Sequence, residues 1–553
     1  MKALSVLYGG RLGSEAFQTV SAGSSAISSF SLAFAAANRF PGVQKVIFLA
    51  SEGKEYPGLP SGIETIFKPS WTAKNLLEEL SVLSRDYDFL YFAWADCPFL
   101  DPALASALAD RHMRYAAEYS YADGWPYGIA PELLSGITVP ILAKMACDGP
   151  VERDTLFEII KKDINSFDIE TEISPLDLRQ YRLSLCADSK RNLILLRRFM
   201  DAGLSSASDA ERIIAGKPEL LRTLPAFYCI QVSGACPQLC SLCPWPVYGG
   251  GEGPVTARKD FMPKAVFASL LDKITEFSGD AVIDLSLWGE LSLHPEKTEL
   301  IQMVLDRPSL SLVVETSGIG WKNEELDALA PAAAAAAPRK NHMAPLSWIV
   351  SLDAHDPERY KEVRGTGFSE ARSCAIKLLS LFPDDAYVQA VRVKGYEDDI
   401  ERFYRSWKEE GLALGLSGTG NNPLAAMKTG GHDAGAVRKS GMRSEGSHII
   451  IQKYDDFAGA LPKLQATDLS PVKRKPCWHI GRDINILLDG RVPACREDLA
   501  CLKGSPSIPI LGNALSDDFS VIWERGLSLY EEHCRSRFNG ICGNCDEWYT
   551  YNF

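Results

Sequence analysis

The chain has 553 residues, 46% apolar and 23% charged, ordinary values for a globular protein. At roughly 100–200 residues per domain that length predicts three or four domains with sizeable cores. The net charge of −13 argues against a general nucleic-acid binder and against attachment to an anionic membrane surface, without excluding a local basic patch.

The first segment, MKALSVLYGGRLGS, reads as a buried strand entering a glycine turn. Its apolar run stops at Gly9-Gly10, too soon for a secretory signal. No stretch approaches the roughly 18 apolar residues of a membrane helix, so a cytoplasmic protein is expected. Up to about residue 205 strand-like and helix-like runs alternate. VQKVIFLAS (43–51) and FLYFAWADCP (89–98) read as buried strands, and ALASALADRHMRYAAEY (103–119) as a helix. That alternation predicts an α/β layered domain with a mostly parallel sheet.

A second alternating block spans about 222–415. Strand-like FYCIQVSG, AVIDLSLWGE, SLSLVVETSG, SWIVSLDAHD and AYVQAVRV are separated by helical PKAVFASLLDKITEF, EARSCAIKLLSLF and DIERFYRSWKEEG. Repeated βα units predict a complete or partial parallel β/α barrel, with chemistry at the C-terminal strand ends. PAAAAAAPRKNHMAP (331–345) is low in complexity, six alanines bracketed by prolines. The Gly/Ser-rich stretch 415–446 reads as a loop or linker. The domains expected are 1–205, 206–446 and a short-element, cysteine-rich 447–553.

Fourteen cysteines are unevenly placed. Cys97, Cys147, Cys186, Cys229 and Cys374 are scattered, as buried inert thiols are. Cys236, Cys240 and Cys243 form C-x3-C-x2-C directly after a strand. Cys477, Cys495, Cys501, Cys534, Cys542 and Cys545 crowd the tail. In a reducing compartment clustered thiols point to metal or redox chemistry. Three closely spaced thiolates suit either a cubane iron–sulfur cluster with one open iron or half of a zinc knuckle.

The motif C236-P-Q-L-C240-S-L-C243 resembles the CxxxCxxC signature of the radical S-adenosylmethionine (SAM) superfamily, with Leu242 where that family often has an aromatic residue. Trp288-Gly289-Glu290 resembles its Gly-Gly-Glu motif, with tryptophan in place of the first glycine. VVETSGIG (313–320) and SLDAHDPERYKEVRG (351–365) resemble its third- and fourth-strand segments. The resemblance covers roughly 222–415. It implies a [4Fe–4S] cluster on the three cysteines. It also implies a SAM site drawing on Gly289, Glu290, Thr316, Ser317, Ser351, Asp353 and Arg364, an electron donor such as flavodoxin or ferredoxin, and a 5′-deoxyadenosyl radical that takes a hydrogen from substrate.

The C-x12-G-x4-C run from Cys477 through Gly490 to Cys495, with ICGNCDEW (541–548), resembles a SPASM domain. This implies one auxiliary [4Fe–4S] cluster on Cys477, Cys495, Cys542 and Cys545, with structural zinc on the same residues as the rival and Cys501 and Cys534 in reserve; His479 and His533 could join a zinc site. The N-terminal domain is similar to nucleotide-diphospho-sugar transferases, cytidylyltransferases above all. There the residue at the Asp96 position binds a divalent metal beside a glycine-rich loop matched in part by Tyr8-Gly9-Gly10-Arg11. No lysine occurs between residues 3 and 43, so the phosphate clamp lacks a cation. The order of parts resembles the spirochaete spiro-SPASM family, which implies no particular reaction. The substrate would be a peptide, or a sugar- or nucleotide-linked small molecule. A non-catalytic metal-binding scaffold and an active nucleotidyltransferase are the alternatives.

Overall fold

The computed structural model describes residues 2–21, 27–249, 259–341, 343–414, 416, 448–467 and 470–550. The stretch read as a Gly/Ser-rich linker lies almost wholly outside them. The chain divides into two compact units, the first ending at Thr223 and the second beginning at Leu224.

The first unit is wound around a seven-stranded sheet of β1 (Ala3–Tyr8), β2 (Val43–Ser51), β3 (Glu64–Lys68), β4 (Phe89–Trp94), β5 (Tyr119–Asp123), β6 (Glu132–Ser135) and β7 (Ile169–Ile173), in the order β3-β2-β1-β4-β6-β5-β7. β1 and β4 are buried on both faces, which is why each reads as an unbroken apolar run. β6 runs antiparallel to β4 and β5; the other pairings are parallel. The helix read over 103–119 spans Pro102–Arg114. Asp101 caps it, accepting from the Ala103 amide at 2.7 Å with Pro102 in the first turn. It ends before Ala116, whose φ is +50°, and Tyr119 opens a strand instead. The helices Lys190–Asp201 and Ala207–Gly216 bury Leu193, Leu196, Phe199, Ala210 and Ile213 with Phe99 and Ile129. The first unit therefore runs past residue 205, because these amphipathic faces are covered by its own core.

The second unit carries another seven-stranded sheet, of β8 (Phe227–Ile230), β9 (Ala281–Asp284), β10 (Leu310–Thr316), β11 (Leu346–Ser351), β12 (Ala386–Arg392), β13 (Ile449–Lys453) and β14 (Asp483–Ile486). The order is β13-β12-β11-β10-β9-β8-β14 and every pair is parallel. Consecutive strands from β8 to β13 are neighbours, the order a partial β/α barrel has. Helices Lys264–Ser278, Lys297–Leu305, Asn323–Ala335, Phe368–Leu381 and Glu397–Ala413 intervene. Their apolar stripes meet Tyr228, Ile283, Leu312, Trp348 and Val388 on one sheet face. The other face gathers Phe227, Cys229, Val282, Val313, Ile349, Tyr387 and Ile450. The alanine run extends the helix Asn323–Ala335, which tolerates Pro331 inside it.

β13 and β14 both fall in the segment assigned to a separate C-terminal domain, yet both are strands of this sheet. The hairpin of β15 (Arg491–Pro493) and β16 (Ile510–Asn513) follows β14 directly. Phe519, from the helix Phe519–Arg525, packs on Tyr228 at 5.6 Å and Phe277 at 6.3 Å between ring centroids. Among the described residues, no helix is long and apolar enough to cross a membrane.

Candidate functional site

The three-cysteine loop follows β8, where the chain leaves the sheet. Cys236, Cys240 and Cys243 are all half-buried. Burial is the first cause pushing each thiol up, Cys243 to about 12; the neighbouring Arg364 opposes this at Cys240 and Cys243. Such thiols hold their protons when free and surrender them to a bound cation, as metal ligands do.

The segment after β9 closes on this loop from one side. Gly289 has φ +103°, and a Cβ there would lie 2.0 Å from the Ser233 carbonyl oxygen, so only glycine fits. The Glu290 amide donates to the Ala235 carbonyl at 2.8 Å, next to Cys236. The Glu290 carboxylate is buried and accepts from the Thr316 hydroxyl and the Ser317 amide, both at 2.7 Å, and from the Ser292 amide at 3.3 Å. Burial pushes its pKa up while these donors pull it down. Thr316 Oγ1 also accepts from the Gly318 amide and Trp321 Nε1. Glu290, Thr316 and Ser317 thus form one directly bonded group from two strand ends.

Arg364 closes the loop from the other side. It is held by Asp353 at 2.7 Å (Nε to Oδ2) and donates to Gln238 Oε1 at 3.2 Å, with Nη1 4.0 Å from Cys240 Sγ. Asp353 takes φ +59° beyond β11 and also accepts from the Val391 amide at 2.7 Å. Gln238, inside the cysteine motif, donates to the Tyr360 hydroxyl at 2.7 Å. It was missed from the sequence, where its only signal is an amide between motif cysteines. Ser351 does not join Arg364; it donates to Glu315 at 2.7 Å and accepts from Gln389 at 3.1 Å.

In the tail, burial comes first in raising Cys477, to about 12, followed after a backbone hydrogen bond by Cys542. Cys495 and Cys545 are raised by burial, then by Glu497, then by Cys477. The four expected ligands therefore share one neighbourhood. Cys501 is pushed up to about 11 by burial first and then by Asp498, with Arg491 opposing and none of the other tail cysteines involved. His479 is bound to Asp483 at 2.7 Å and to Thr550, and His533 Nδ1 accepts from the Cys477 amide at 3.4 Å. Among the described residues, the groups of three possible ligands with all ligand atoms within 4.8 Å are Asp96, Cys97, Cys186 and Asp455, Asp546, Glu547. A tetrahedral zinc with ~2.3 Å bonds needs sulfurs about 3.8 Å apart. Neither cysteine set supplies such a group among the described residues.

In the first unit Asp96 is 1% exposed and both its oxygens are taken by Arg153, at 3.1 and 2.6 Å. Arg153 also reaches Asp188 at 2.9 Å and lies over the Trp94 ring. An internal cation thus occupies both oxygens of the expected metal ligand, which lies beside Cys97 and Cys186. Arg153 and Asp188 lie far from Asp96 in sequence, which hid them. Arg11 pairs with Glu152, and Lys54 Nζ approaches the Gly10 carbonyl at 3.4 Å. A lysine absent from the first 43 residues beyond Lys2 thus arrives from the β2–β3 connection.

Fold and site define an α/β protein of two wound sheets, the second presenting a three-cysteine loop between a buried glutamate and an arginine. No family model matches the chain. An uncharacterized protein of Treponema pallidum (strain Nichols) is 35% identical over 408 residues, 72% of this chain and 98% of that one. The chain belongs to the family of that protein. A second uncharacterized protein of the same organism matches 73 residues at 33% identity, 13% of this chain and 33% of that one. Among solved structures, BtrN in complex with AdoMet and 2-DOIA is 13% identical, with 60% of this chain and 94% of that one covered and a TM-score of 0.33. A cytidylyltransferase from Leptospira borgpetersenii covers 40% of this chain and 95% of its own at 13% identity and TM-score 0.33. Streptococcus suis SuiB bound to precursor peptide SuiA covers 67% and 78% at 11% identity and TM-score 0.36.

Proposed function

We propose that the chain is a radical SAM enzyme whose [4Fe–4S] cluster sits on Cys236, Cys240 and Cys243. One observation carries this reading: Glu290, beyond the end of β9, and Arg364, at the C-terminus of the helix Pro357–Val363, close on the same three-cysteine loop. When bound, the reduced cluster supplies the electron that splits SAM into methionine and a 5′-deoxyadenosyl radical. Glu290, fixed by three donors, offers an anionic acceptor for the SAM ammonium. Arg364 is oriented by Asp353 and places a cation by the thiolates, where a carboxylate could also be met. Ser317, beside Glu290, supplies a hydroxyl for the ribose. Ser351 belongs, in this reading, to the inner polar face with Glu315 and Gln389.

Cys477, Cys495, Cys542 and Cys545 hold an auxiliary [4Fe–4S] cluster in the same reading, with structural zinc on the same four residues as the rival. Flavodoxin or ferredoxin supplies electrons in the cytoplasm, and the substrate is a peptide or a sugar- or nucleotide-linked molecule. The Arg153–Asp96 pair favours a binding or docking role for the first unit over metal-dependent nucleotidyl transfer.

The test is anaerobic reconstitution followed by dithionite and SAM. 5′-Deoxyadenosine should form, and Cys240→Ala should abolish it while retaining the C-terminal cluster. Full iron loading of about eight per chain without any 5′-deoxyadenosine would overturn the reading.

A further inference from the structure

The geometry points to Trp288 as a positioning residue for the three-cysteine loop, a wedge that seats Trp245 against the loop and closes it to solvent. The inference rests on the cluster assignment proposed above and concerns how this chain guards it.

Trp288 has φ +45°. Bulky side chains rarely adopt that left-handed conformation, and it persists only where the surroundings over-determine it. Glycine would adopt it freely, so what tryptophan adds at this position is its ring. The ring stacks on Trp245, with centroids 6.3 Å apart and planes 10° from parallel. Phe457 supports it at 5.6 Å and 45°, and Phe457 is itself left-handed at φ +52°. Two aromatic residues in strained backbone, Phe457 and Trp288, therefore pack on each other, and Trp288 in turn on Trp245.

Trp245 connects this stack to the cysteines. It lies two residues after Cys243, is 4% exposed, and donates from Nε1 to the Gly234 carbonyl at 3.2 Å. A backbone hydrogen bond from Trp245 bears on the Cys243 sulfur. Gly289, the residue after Trp288, lies under the Ser233 and Ala235 carbonyls. The dipeptide Trp288-Gly289 thus grips the loop at both ends, by its ring beyond Cys243 and by its backbone before Cys236. Hydrogen bonds to cluster sulfurs and exclusion of solvent are the protein's means of tuning and protecting such a cluster. Trp288 acts through Trp245, without reaching the reacting atoms.

The experiment uses full-length wild type, Trp288→Gly and Trp288→Phe, reconstituted anaerobically and reduced with dithionite. The part of the electron paramagnetic resonance signal that changes on adding SAM reports the Cys236–Cys240–Cys243 cluster, separately from the C-terminal one. Its loss is followed during exposure to a fixed dose of air. Trp288→Gly is expected to lose that signal about tenfold faster than wild type, the scale on which outer contacts affect metal sites, and Trp288→Phe to restore most of the protection. Phe457→Ala, which removes only the outer support of the ring, should fall between, and it answers the question if Trp288→Gly does not fold. Equal decay in wild type and the folded variants overturns the wedge. A wild type that is fully loaded with iron but shows no SAM-responsive signal overturns the cluster assignment, and the wedge with it.

Discussion

Gly289→Ala separates steric exclusion from backbone strain. A Cβ at Gly289 would sit 2.0 Å from Ser233 O, 2.9 Å from Ser233 C and 3.1 Å from Ala235 O. All three are backbone atoms, so no side chain can swing away, and the loop itself must move. Overpacking of this kind costs about 1–3 kcal/mol, and a non-glycine residue held at positive φ about 1–3 kcal/mol more. The sum is a loss of about 2–6 kcal/mol. Gly395 is the control in the same unit: its φ is +83° and nothing lies within 4 Å of its added Cβ. Gly395→Ala therefore bears strain alone, about 1–2 kcal/mol. Urea unfolding of the two apo variants, followed by tryptophan fluorescence, measures the difference. Iron bound after reconstitution should fall in Gly289→Ala alone, because the displaced carbonyls adjoin Cys236. Equal destabilisation of the two variants, or unchanged iron in Gly289→Ala, would refute the close approach as the reason for glycine.

Arg153→Met leaves the buried Asp96 carboxylate without its bidentate partner. It should destabilise the first unit by about 3–5 kcal/mol in denaturant unfolding, with much of that recovered in the Arg153→Met/Asp96→Asn double variant. Burial lowers His112 to about 4, so the unfolded chain takes the proton first as pH falls. The stability this group contributes is present above the ordinary value near 6.5. It is lost as pH falls through about 4, a total of about 3 kcal/mol, and His112→Leu should flatten that slope in unfolding measured from pH 7 to 4. Cys495→Ser should lower iron from about eight to about four per chain by elemental analysis and leave the SAM-responsive signal in place. Truncation before Cys477 removes β14 and leaves β8 as an apolar open edge; gel filtration should show aggregates, because the tail completes the sheet.

Strand–helix alternation was legible because buried parallel strands write themselves as apolar runs, as VQKVIFLAS and FLYFAW do. The cysteine motif was legible because its ligands are local in sequence. Contacts made across long separations were not. Nothing in the sequence joins Arg153 to Asp96, or Arg364 to Gln238, since an arginine's partner is chosen by the fold. The place of β13 and β14 in the sheet was hidden for a related reason. β13 and β14 are short and lie after a Gly/Ser-rich stretch and among cysteines, so composition assigned them to the tail, whereas hydrogen bonding assigns them to the two edges of one sheet. Trp288 was read as a weakened glycine motif; its left-handed φ and the indole stack give the substitution a physical content that residue type alone lacked.

That sheet membership brings the two cysteine sets together by topology. β8 and β14 are parallel neighbours, with Cys229 opposite Asn485 and Ile230 opposite Ile486. The pairing continues past both strand ends: the Gln231 amide donates to Ile486 O at 2.9 Å, and the Leu488 amide to Gln231 Oε1 at 3.0 Å. From there one chain runs to Cys236 and the other turns at Gly490 (φ +84°) to reach Cys495. Burial pushes Cys229 and Asp284 up on the inner sheet face, and Arg496, adjoining Cys495, opposes this at both. β14, tied to β8 by backbone hydrogen bonds, cannot drift as a tethered module would, and it carries Cys477 before it and Cys495 after it. Fixed spacing is what electron exchange between two clusters, or from a substrate radical to one of them, would require of the protein.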